Sequence, residues 1–123
     1  MRQHRLLIVD DNRDAADSLA LLLGLDGHDV RVAYTGRQAL EIARNNPPDV
    51  AILDLGLPDL SGYDVAAQMR REPVLAGIRL IALSGWAQDQ QQQRARDAGF
   101  DHHLVKPADP DELLALLAKM PPR

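Results

Sequence analysis

The chain has 123 residues, of which 46% are hydrophobic, and this length and composition suit one compact domain over residues 1–123 with a packed core. It contains no cysteine, which excludes disulfides and thiolate zinc sites and agrees with a reducing compartment such as the cytoplasm. The net charge of -4 comes from acids spread along the chain, so we expect no direct binding to nucleic acid. No apolar run is long enough to cross a bilayer, and we expect no membrane span.

The first part of the chain alternates between apolar runs and amphipathic segments. Residues 6–9 are an apolar run that predicts a first strand, and the apolar spacing that follows predicts a helix. Residues 30–33 predict a second strand, in which Arg31 favours an edge position. Thr35 and Gln38 then form a capping-box pattern, which indicates the start of a second helix.

The middle of the chain contains an apolar run that ends in a carboxylate. Residues 50–53 are apolar at every position, which is typical of a strand buried on both faces of a parallel sheet. The run ends in Asp54, and Gly56 and Pro58 close it. Aspartate is uncommon in strands, and alone it is most simply explained as a turn or helix-cap residue. The residues that end the other strands favour a functional role instead.

The last part of the chain repeats the alternation. Residues 80–83 predict a fourth strand, which ends in Ser84. The helix predicted next runs to about Ala98 and is rich in glutamine, so we interpret it as a solvated face, with a partner surface as the alternative. Residues 102–105 predict a fifth strand that leads to Lys106, and a final helix follows.

Five strand signals that alternate with five helix signals predict a doubly wound α/β fold with a parallel five-stranded sheet. All strands of a parallel sheet end at the same edge, and ligands bind beyond those ends where the winding reverses. If the strand order is 2-1-3-4-5, the first and third strands are neighbours and their acids converge. The polar residues at strand ends are Asp10 and Asp11 after the first, Asp54 after the third, Ser84 after the fourth and Lys106 after the fifth.

The three converging acids predict a metal site. Asp10, Asp11 and Asp54 would repel one another unless a cation lay among them. Mg2+ suits such a site, because it binds one or two carboxylates and completes its coordination with water and phosphate oxygens. Lys106 and Ser84 would then lie beside the metal. Taken singly, Lys106 is equally well explained as a surface base and Ser84 as a helix cap.

The chain resembles the receiver domain of response regulators in two-component signalling over essentially its whole length. In that family an acid pair follows the first strand, a phospho-accepting aspartate ends the third, serine or threonine ends the fourth, and Lys-Pro follows the fifth. The matching residues are Asp10 with Asp11, Asp54, Ser84, and Lys106 with Pro107. The resemblance implies a single (βα)5 domain of the flavodoxin-like type, with a sensor histidine kinase or a histidine phosphotransfer domain as partner.

The resemblance also implies a chemistry for these residues. Asp54 would attack the phosphorus of a phosphohistidine and become an acyl phosphate. Mg2+ would be held by Asp11, Asp54 and the backbone carbonyl of Gly56, with Asp10 acting through water. Lys106 would pair with one phosphoryl oxygen, and the fourth-strand serine would donate to another.

One position departs from the family pattern. The family usually has tyrosine or phenylalanine where this chain has His103, and that ring turns inward when the serine or threonine is drawn to the phosphate. We expect Ser84 and His103 to form the switch, with inward movement hindered as the pH falls, because burial favours the neutral imidazole. A metal site at His102 and His103 is disfavoured, since neighbouring strand residues point to opposite faces. A downstream protein would bind the face of the fourth helix, fifth strand and fifth helix.

Two other functions remain open at this point. A phosphohydrolase with an aspartyl-phosphate intermediate usually has a second acid two residues after its nucleophile, where this chain has Gly56. A flavodoxin-like flavin protein would bind the flavin phosphate at the loop after the first strand, which is acidic here. For a receiver domain we expect slow loss of the phosphoryl group, because Gly56 cannot orient a water and Trp86 would cover the site. The sequence does not distinguish a stand-alone receiver from part of a hybrid histidine kinase.

Overall fold

A computed structural model describes residues 3–85 and 89–120 of the chain. Strands and helices alternate along it, as the sequence predicts. None of the helices in these ranges combines the length and the apolar character needed to cross a membrane. The elements are β1 (Arg5–Val9), α1 (Arg13–Leu25), β2 (Asp29–Ala33), α2 (Gly36–Asn45), β3 (Val50–Asp54), α3 (Gly62–Arg71), β4 (Arg79–Ser84), α4 (Asp89–Ala98), β5 (His102–Val105) and α5 (Pro110–Lys119).

The five strands form one parallel sheet in the order β2-β1-β3-β4-β5. This order confirms the predicted fold and makes β1 and β3 neighbours, with Leu6 opposite Val50. β2 lies at one edge, as Arg31 indicates, and β5 lies at the other. β3 is buried at every position, because it has a strand on each side and a packed helix layer on each face.

Helices cover both faces of the sheet, and each face has its own hydrophobic core. Successive residues of a strand point to opposite faces, so Leu53 packs beneath α2, α3 and α4 while Ile52 packs beneath α1 and α5. Met69 and Phe100 belong to the first core, and Leu113 belongs to the second. Both cores consist almost entirely of aliphatic side chains, which matches the scarcity of aromatic residues.

The helices α1, α2, α3 and α5 begin at polar residues that cap their first backbone amides. Thr35 Oγ1 accepts from the Gln38 N–H at 3.1 Å, as the capping-box pattern predicts. The Gln38 side chain accepts from the Tyr34 N–H at 2.9 Å, one residue before the cap, so the second bond of the box is displaced by one position. The other capping residues are Asn12 for α1, Ser61 for α3 and Asp109 for α5.

The start of α3 lies directly against the end of β3. A Cβ atom at Gly62 would lie 2.6 Å from the Asp54 carbonyl oxygen and 2.8 Å from Leu55 Cα, distances that only glycine permits. The Gly62 N–H donates to the Leu55 carbonyl at 3.0 Å. The loop between β3 and α3 is therefore held close to the end of the strand.

The same loop is also bound to α2. Asp59 accepts from the Gly36 N–H at 2.8 Å and from the Arg37 N–H at 3.0 Å, so it caps a helix that precedes it in the chain. These backbone hydrogen bonds lower the pKa of the Asp59 carboxyl, and the bond from Gly36 has the largest effect. The carboxylate thereby connects the end of β3 to the end of β2, where α2 begins.

Two histidines are buried at the end of the sheet where the strands begin, opposite the end where the strands finish. The His4 backbone N–H donates to His28 Nδ1 at 3.0 Å, and His4 Nε2 donates to the Leu117 carbonyl at 2.8 Å. The two rings are stacked, with their centroids 5.6 Å apart. His28 must be unprotonated at Nδ1 to accept this bond, so the packing between β1, β2 and α5 requires the neutral ring.

The burial of His28 predicts a loss of stability in acid. Burial lowers the pKa of the His28 imidazole, with a smaller contribution from His4 and an opposing one from Asp26. Because the folded state binds this proton less tightly, the stabilisation is complete above the unfolded pKa of about 6.5 and is lost as the pH falls from there toward the lowered folded pKa. We expect the free energy of unfolding, measured by urea denaturation across this range, to depend less on pH in His28→Asn, whose amide oxygen accepts the same N–H.

The exposed His102 provides the matched control, since His102→Asn makes the same substitution at an exposed position. We expect this variant to retain the pH dependence of the wild type. Equal pH dependence in His28→Asn and the wild type would contradict the prediction.

Candidate functional site

Four charged side chains meet where the strands end. Asp10 and Asp11 follow β1, Asp54 is the last residue of β3, and Lys106 follows β5. One carboxylate oxygen from each of the three aspartates lies within 4.8 Å of the others. Lys106 Nζ lies 2.9 Å from Asp54 Oδ2 and 3.4 Å from Asp10 Oδ2. Residues separated by up to 96 positions in the chain thus form one acidic site around a single ammonium group.

Burial makes the charge on Asp10 costly. Asp10 and Asp54 are only 5% and 7% exposed, whereas Asp11 is exposed. Burial raises the pKa of the Asp10 carboxyl, and the charge of Asp54 acts in the same direction. A hydrogen bond from the Asn12 N–H at 3.0 Å and the charge of Lys106 act against this rise. The net effect is a raised pKa, so the site holds an acid that a further cation would stabilise.

The two acids hold Lys106 in its charged form. Burial of Lys106 opposes the charge, but the hydrogen bond from its ammonium group to Asp54, and the charges of Asp54 and Asp10, outweigh burial and raise the pKa. The backbone N–H of Lys106 donates to the Ser84 carbonyl at 2.8 Å, which continues the β4–β5 ladder and fixes the start of the side chain. The Lys106–Pro107 peptide bond that follows is cis.

The loop after β3 orients the Asp54 carboxylate. The Gly56 N–H donates to Asp54 Oδ1 at 3.1 Å, while Oδ2 faces Lys106. The Leu55 N–H donates to the Leu83 carbonyl at 3.0 Å, so the ladder with β4 continues one residue past Asp54. Gly56 is exposed, and a Cβ there would make only an ordinary contact of 3.9 Å with Asp54 Oδ1. Among the residues that the structure describes, space for an additional side chain therefore exists beside the carboxylate.

Ser84 and His103 are in direct contact. Ser84 is buried at the end of β4, and its Oγ lies 2.9 Å from His103 Nε2. The ring is half-buried on β5, where His103 pairs with Ala82. His103 therefore contacts the hydroxyl in this structure, and the inward movement expected on phosphorylation stays a prediction. Gly85 follows, and a Cβ there would meet no atom of the described residues within 4 Å, whereas Trp86 lies outside those residues.

An apolar groove lies beside the acids, between α1 and the loop that joins β5 to α5. The cavity has a volume of about 540 Å³, and Asp10 and Lys106 line it together with apolar side chains. Leu22 on α1 is 46% exposed along this groove, although the apolar spacing of the helix predicts a buried position. The other apolar lining residues include Ala15, Leu19, Leu83, Pro107 and Ala108.

Sequence reasoning missed two contributors to the site. Asn12 is both the cap of α1 and the donor to Asp10, and its position just before a helix was the available signal. The groove had no such signal, because it depends on how the loop between β5 and α5 lies against α1.

The sequence model of the response regulator receiver domain matches residues 6–118. The chain belongs to this family. Receiver domains are signalling modules of two-component systems that interact with histidine kinases or phosphotransfer proteins, and they generally bind Mg2+ at an acidic pocket. In this receiver domain, Asp10, Asp11 and Asp54 form such a pocket. Neither the phosphohydrolase nor the flavin-binding alternative gains support.

Individual relatives agree with the family assignment. The chain is 41% identical over 115 residues to the transcriptional regulatory protein KdpE of Mycobacterium tuberculosis, a match that covers 91% of this chain and 48% of KdpE. It is 32% identical over 117 residues to an uncharacterized 14.6 kDa protein of Leptolyngbya boryana, covering 95% and 89% of the two chains. This receiver domain thus spans about half the length of KdpE but most of the second relative.

A solved structure confirms the fold independently. A putative response regulator from Chloroflexus aurantiacus superposes with a TM-score of 0.88 at 33% sequence identity, covering 94% of this chain and 95% of that one. The parallel sheet and its strand order are therefore those of a receiver domain.

The cost of the buried acid predicts that removing its charge stabilises the metal-free receiver domain. We expect Asp10→Asn to raise the free energy of unfolding by about 0.5–2 kcal/mol when measured in EDTA, because the asparagine keeps an oxygen for the Asn12 N–H without the buried charge. Added Mg2+ should stabilise the wild type more than this variant. Urea denaturation with EDTA and with Mg2+ measures both effects.

Asp29→Asn is the matched control, because Asp29 is exposed and lies at the start of β2, at the end of the sheet away from the acidic site. Asp29→Asn should change neither the free energy of unfolding in EDTA nor the stabilisation by Mg2+ appreciably. A lower free energy of unfolding for Asp10→Asn in EDTA would contradict the prediction, because it would show that the favourable contacts of the carboxylate outweigh the cost of burying its charge.

Proposed function

We propose that Asp54 accepts a phosphoryl group from a phosphohistidine of a sensor histidine kinase or a histidine phosphotransfer domain. The observation that carries this proposal is the 2.9 Å contact between Asp54 and Lys106 in a site shared with two further acids. The proposal covers the whole chain, residues 1–123, acting as a signalling module in the cytoplasm. Its output would be a change of interaction surface rather than turnover of a small substrate.

The transfer is a substitution at phosphorus. A carboxylate oxygen of Asp54 attacks, an O–P bond forms, the P–N bond to the donor histidine breaks, and its electron pair returns to the imidazole nitrogen. Asp11, Asp54 and the Gly56 carbonyl would hold Mg2+, with Asp10 acting through water, and the bound ion would supply charge neutralisation for the transferring group. The product is an acyl phosphate on Asp54.

Lys106 and Ser84 would bind the transferred group. The Lys106 ammonium already contacts Asp54 and Asp10, so a small movement would place it against a phosphoryl oxygen. Ser84 ends the strand beside β3, where its hydroxyl is suited to donate to a second oxygen. Gly85 adds no side chain that would obstruct access among the described residues.

The surfaces of the domain suggest where partners bind. The apolar groove between α1 and the β5–α5 loop adjoins the acids and would admit an apolar helix of the phosphoryl donor, with Leu22 as one contact. A downstream protein would bind the α4–β5–α5 face, where Val105 is 43% exposed. The glutamine-rich surface of α4 belongs to the same face, which favours the partner-surface interpretation of that helix.

The proposed acceptor can be tested with a small phosphoryl donor. We expect phosphoramidate with Mg2+ to add one phosphoryl group to the wild type, seen by intact-mass measurement, and none in EDTA. Asp54→Asn should not be labelled. Lys106→Met should slow labelling by about tenfold or more, because the half-buried cation that would stabilise the transferring charge is lost.

Lys119→Met on the exposed end of α5 is the matched control and should label at the wild-type rate. Equal labelling of Asp54→Asn would show that another residue accepts the group.

The open space at Gly56 predicts how fast the phosphoryl group is lost. We expect a long-lived phosphoprotein in the wild type, and a half-life shorter by about tenfold in Gly56→Gln, whose amide can orient an attacking water beside the anhydride. The measurement is the decay of the phosphorylated mass after the donor is removed. The shielding role of Trp86 stays a prediction, with Trp86→Ala as its test.

Gly24→Gln serves as the control for the added side chain, because Gly24 lies on α1 with open space around it among the described residues. The half-life of the phosphoryl group in Gly24→Gln should match that in the wild type. A Gly56→Gln half-life as long as that of the wild type would exclude this position as the determinant.

A further inference from the structure

His103 and Asp54 lie on opposite sides of Ser84. The sheet order is β3-β4-β5, with Asp54 at the end of β3, Ser84 at the end of β4 and His103 on β5. His103 Nε2 lies 2.9 Å from Ser84 Oγ, and Ser84 is only 5% exposed. The hydroxyl therefore has a ring nitrogen on one side and the proposed phosphoryl acceptor on the other.

The direction of the hydroxyl proton depends on which ring nitrogen of His103 is protonated. Burial lowers the pKa of the His103 imidazole, so at pH 7 the neutral ring dominates, with its one proton on either Nδ1 or Nε2. If Nε2 lacks the proton, the Ser84 hydroxyl donates to Nε2 and its proton points toward β5. If Nε2 carries the proton, Ser84 Oγ accepts from the ring, and its own proton is directed away from β5.

The surroundings of the ring accommodate the second arrangement. His103 borders a cavity of about 270 Å³ between α4 and β5, which Gln92, Arg96 and Phe100 also line. The ring is only half-buried, and its Nδ1 is not among the buried polar atoms of the described residues that lack a partner. The tautomer with a proton on Nε2 therefore leaves no buried acceptor without a partner.

We propose that His103 is a positioning residue, whose Nε2–H donates to Ser84 Oγ and so directs the hydroxyl proton across β4 to a phosphoryl oxygen on Asp54. This inference rests on the proposed function, because it needs the phosphoryl group at Asp54. It assigns His103 a fixed hydrogen bond rather than a movement. Phosphorylation then selects one tautomer of the ring, since a serine that donates to the phosphoryl group can only accept from His103.

The tautomer can be read directly by NMR. The full chain, labelled with 15N-histidine, is saturated with beryllofluoride and Mg2+ at pH 7.5 as a phosphoryl mimic, and the His103 ring signals are assigned by their loss in His103→Gln. We expect Nε2 of His103 to be protonated in the mimic-bound state. An unprotonated Nε2 in that state overturns the inference. If Asp54→Asn shows the same response to the mimic, or the wild type shows none, the proposed function itself has failed, and the inference with it.

Kinetics provide a second test that a purely structural role would not pass. Loss of one orienting hydrogen bond should slow phosphorylation by phosphoramidate about two- to tenfold in His103→Phe. His103→Gln should retain a rate within about twofold of the wild type, because its amide N–H takes the place of Nε2–H. In Ser84→Ala, the additional change His103→Phe should have no effect, since the residues act through one bond.

The neighbouring His102 supplies the matched control, because His102→Phe makes the same chemical change at an exposed position of the same strand. It should leave the rate unchanged. A wild-type rate in His103→Phe, or an equal slowing by His103→Phe with and without Ser84, overturns the inference.

Discussion

The site depends on one ammonium group that two buried carboxylates share. Lys106 extends from the end of β5 across the end of β4 to Asp54 on β3 and Asp10 beyond β1. The sheet order is therefore a condition for the charge pairing, and the pairing permits two acids to remain buried.

This pairing is incomplete, and its incompleteness suits a signalling module. Three carboxylates face one ammonium group, so the metal-free site keeps an excess of negative charge, which burial makes more costly at Asp10. A divalent cation would relieve this repulsion, and the proposed phosphoryl group on Asp54 would then compete with the carboxylates for Lys106. The repulsion lowers the free energy of unfolding, and a ligand that relieves the repulsion binds more tightly as a result. Lower stability in exchange for function is usual at such sites.

The rest of the domain provides a fixed frame for this charged edge. Gly62 allows α3 to begin against β3, and Asp59 bonds the loop after Asp54 to α2. At the other end of the sheet, the contacts of His4 with His28 and with Leu117 hold the starts of β1 and β2 against α5. The charged groups that ligands would rearrange are thus confined to one end of the sheet.

The sequence by itself determined the alternation of strands and helices, the edge position of β2 and the residues at the strand ends, because periodicity and strand-terminal polar residues are local signals. Tertiary structure alone decided that Ser84 contacts His103, that Asp59 caps a preceding helix, and that Leu22 faces an open groove. These contacts join residues far apart in the chain, and they depend on side-chain rotamers and on how helices lie against the sheet. Local patterns carry no information about either.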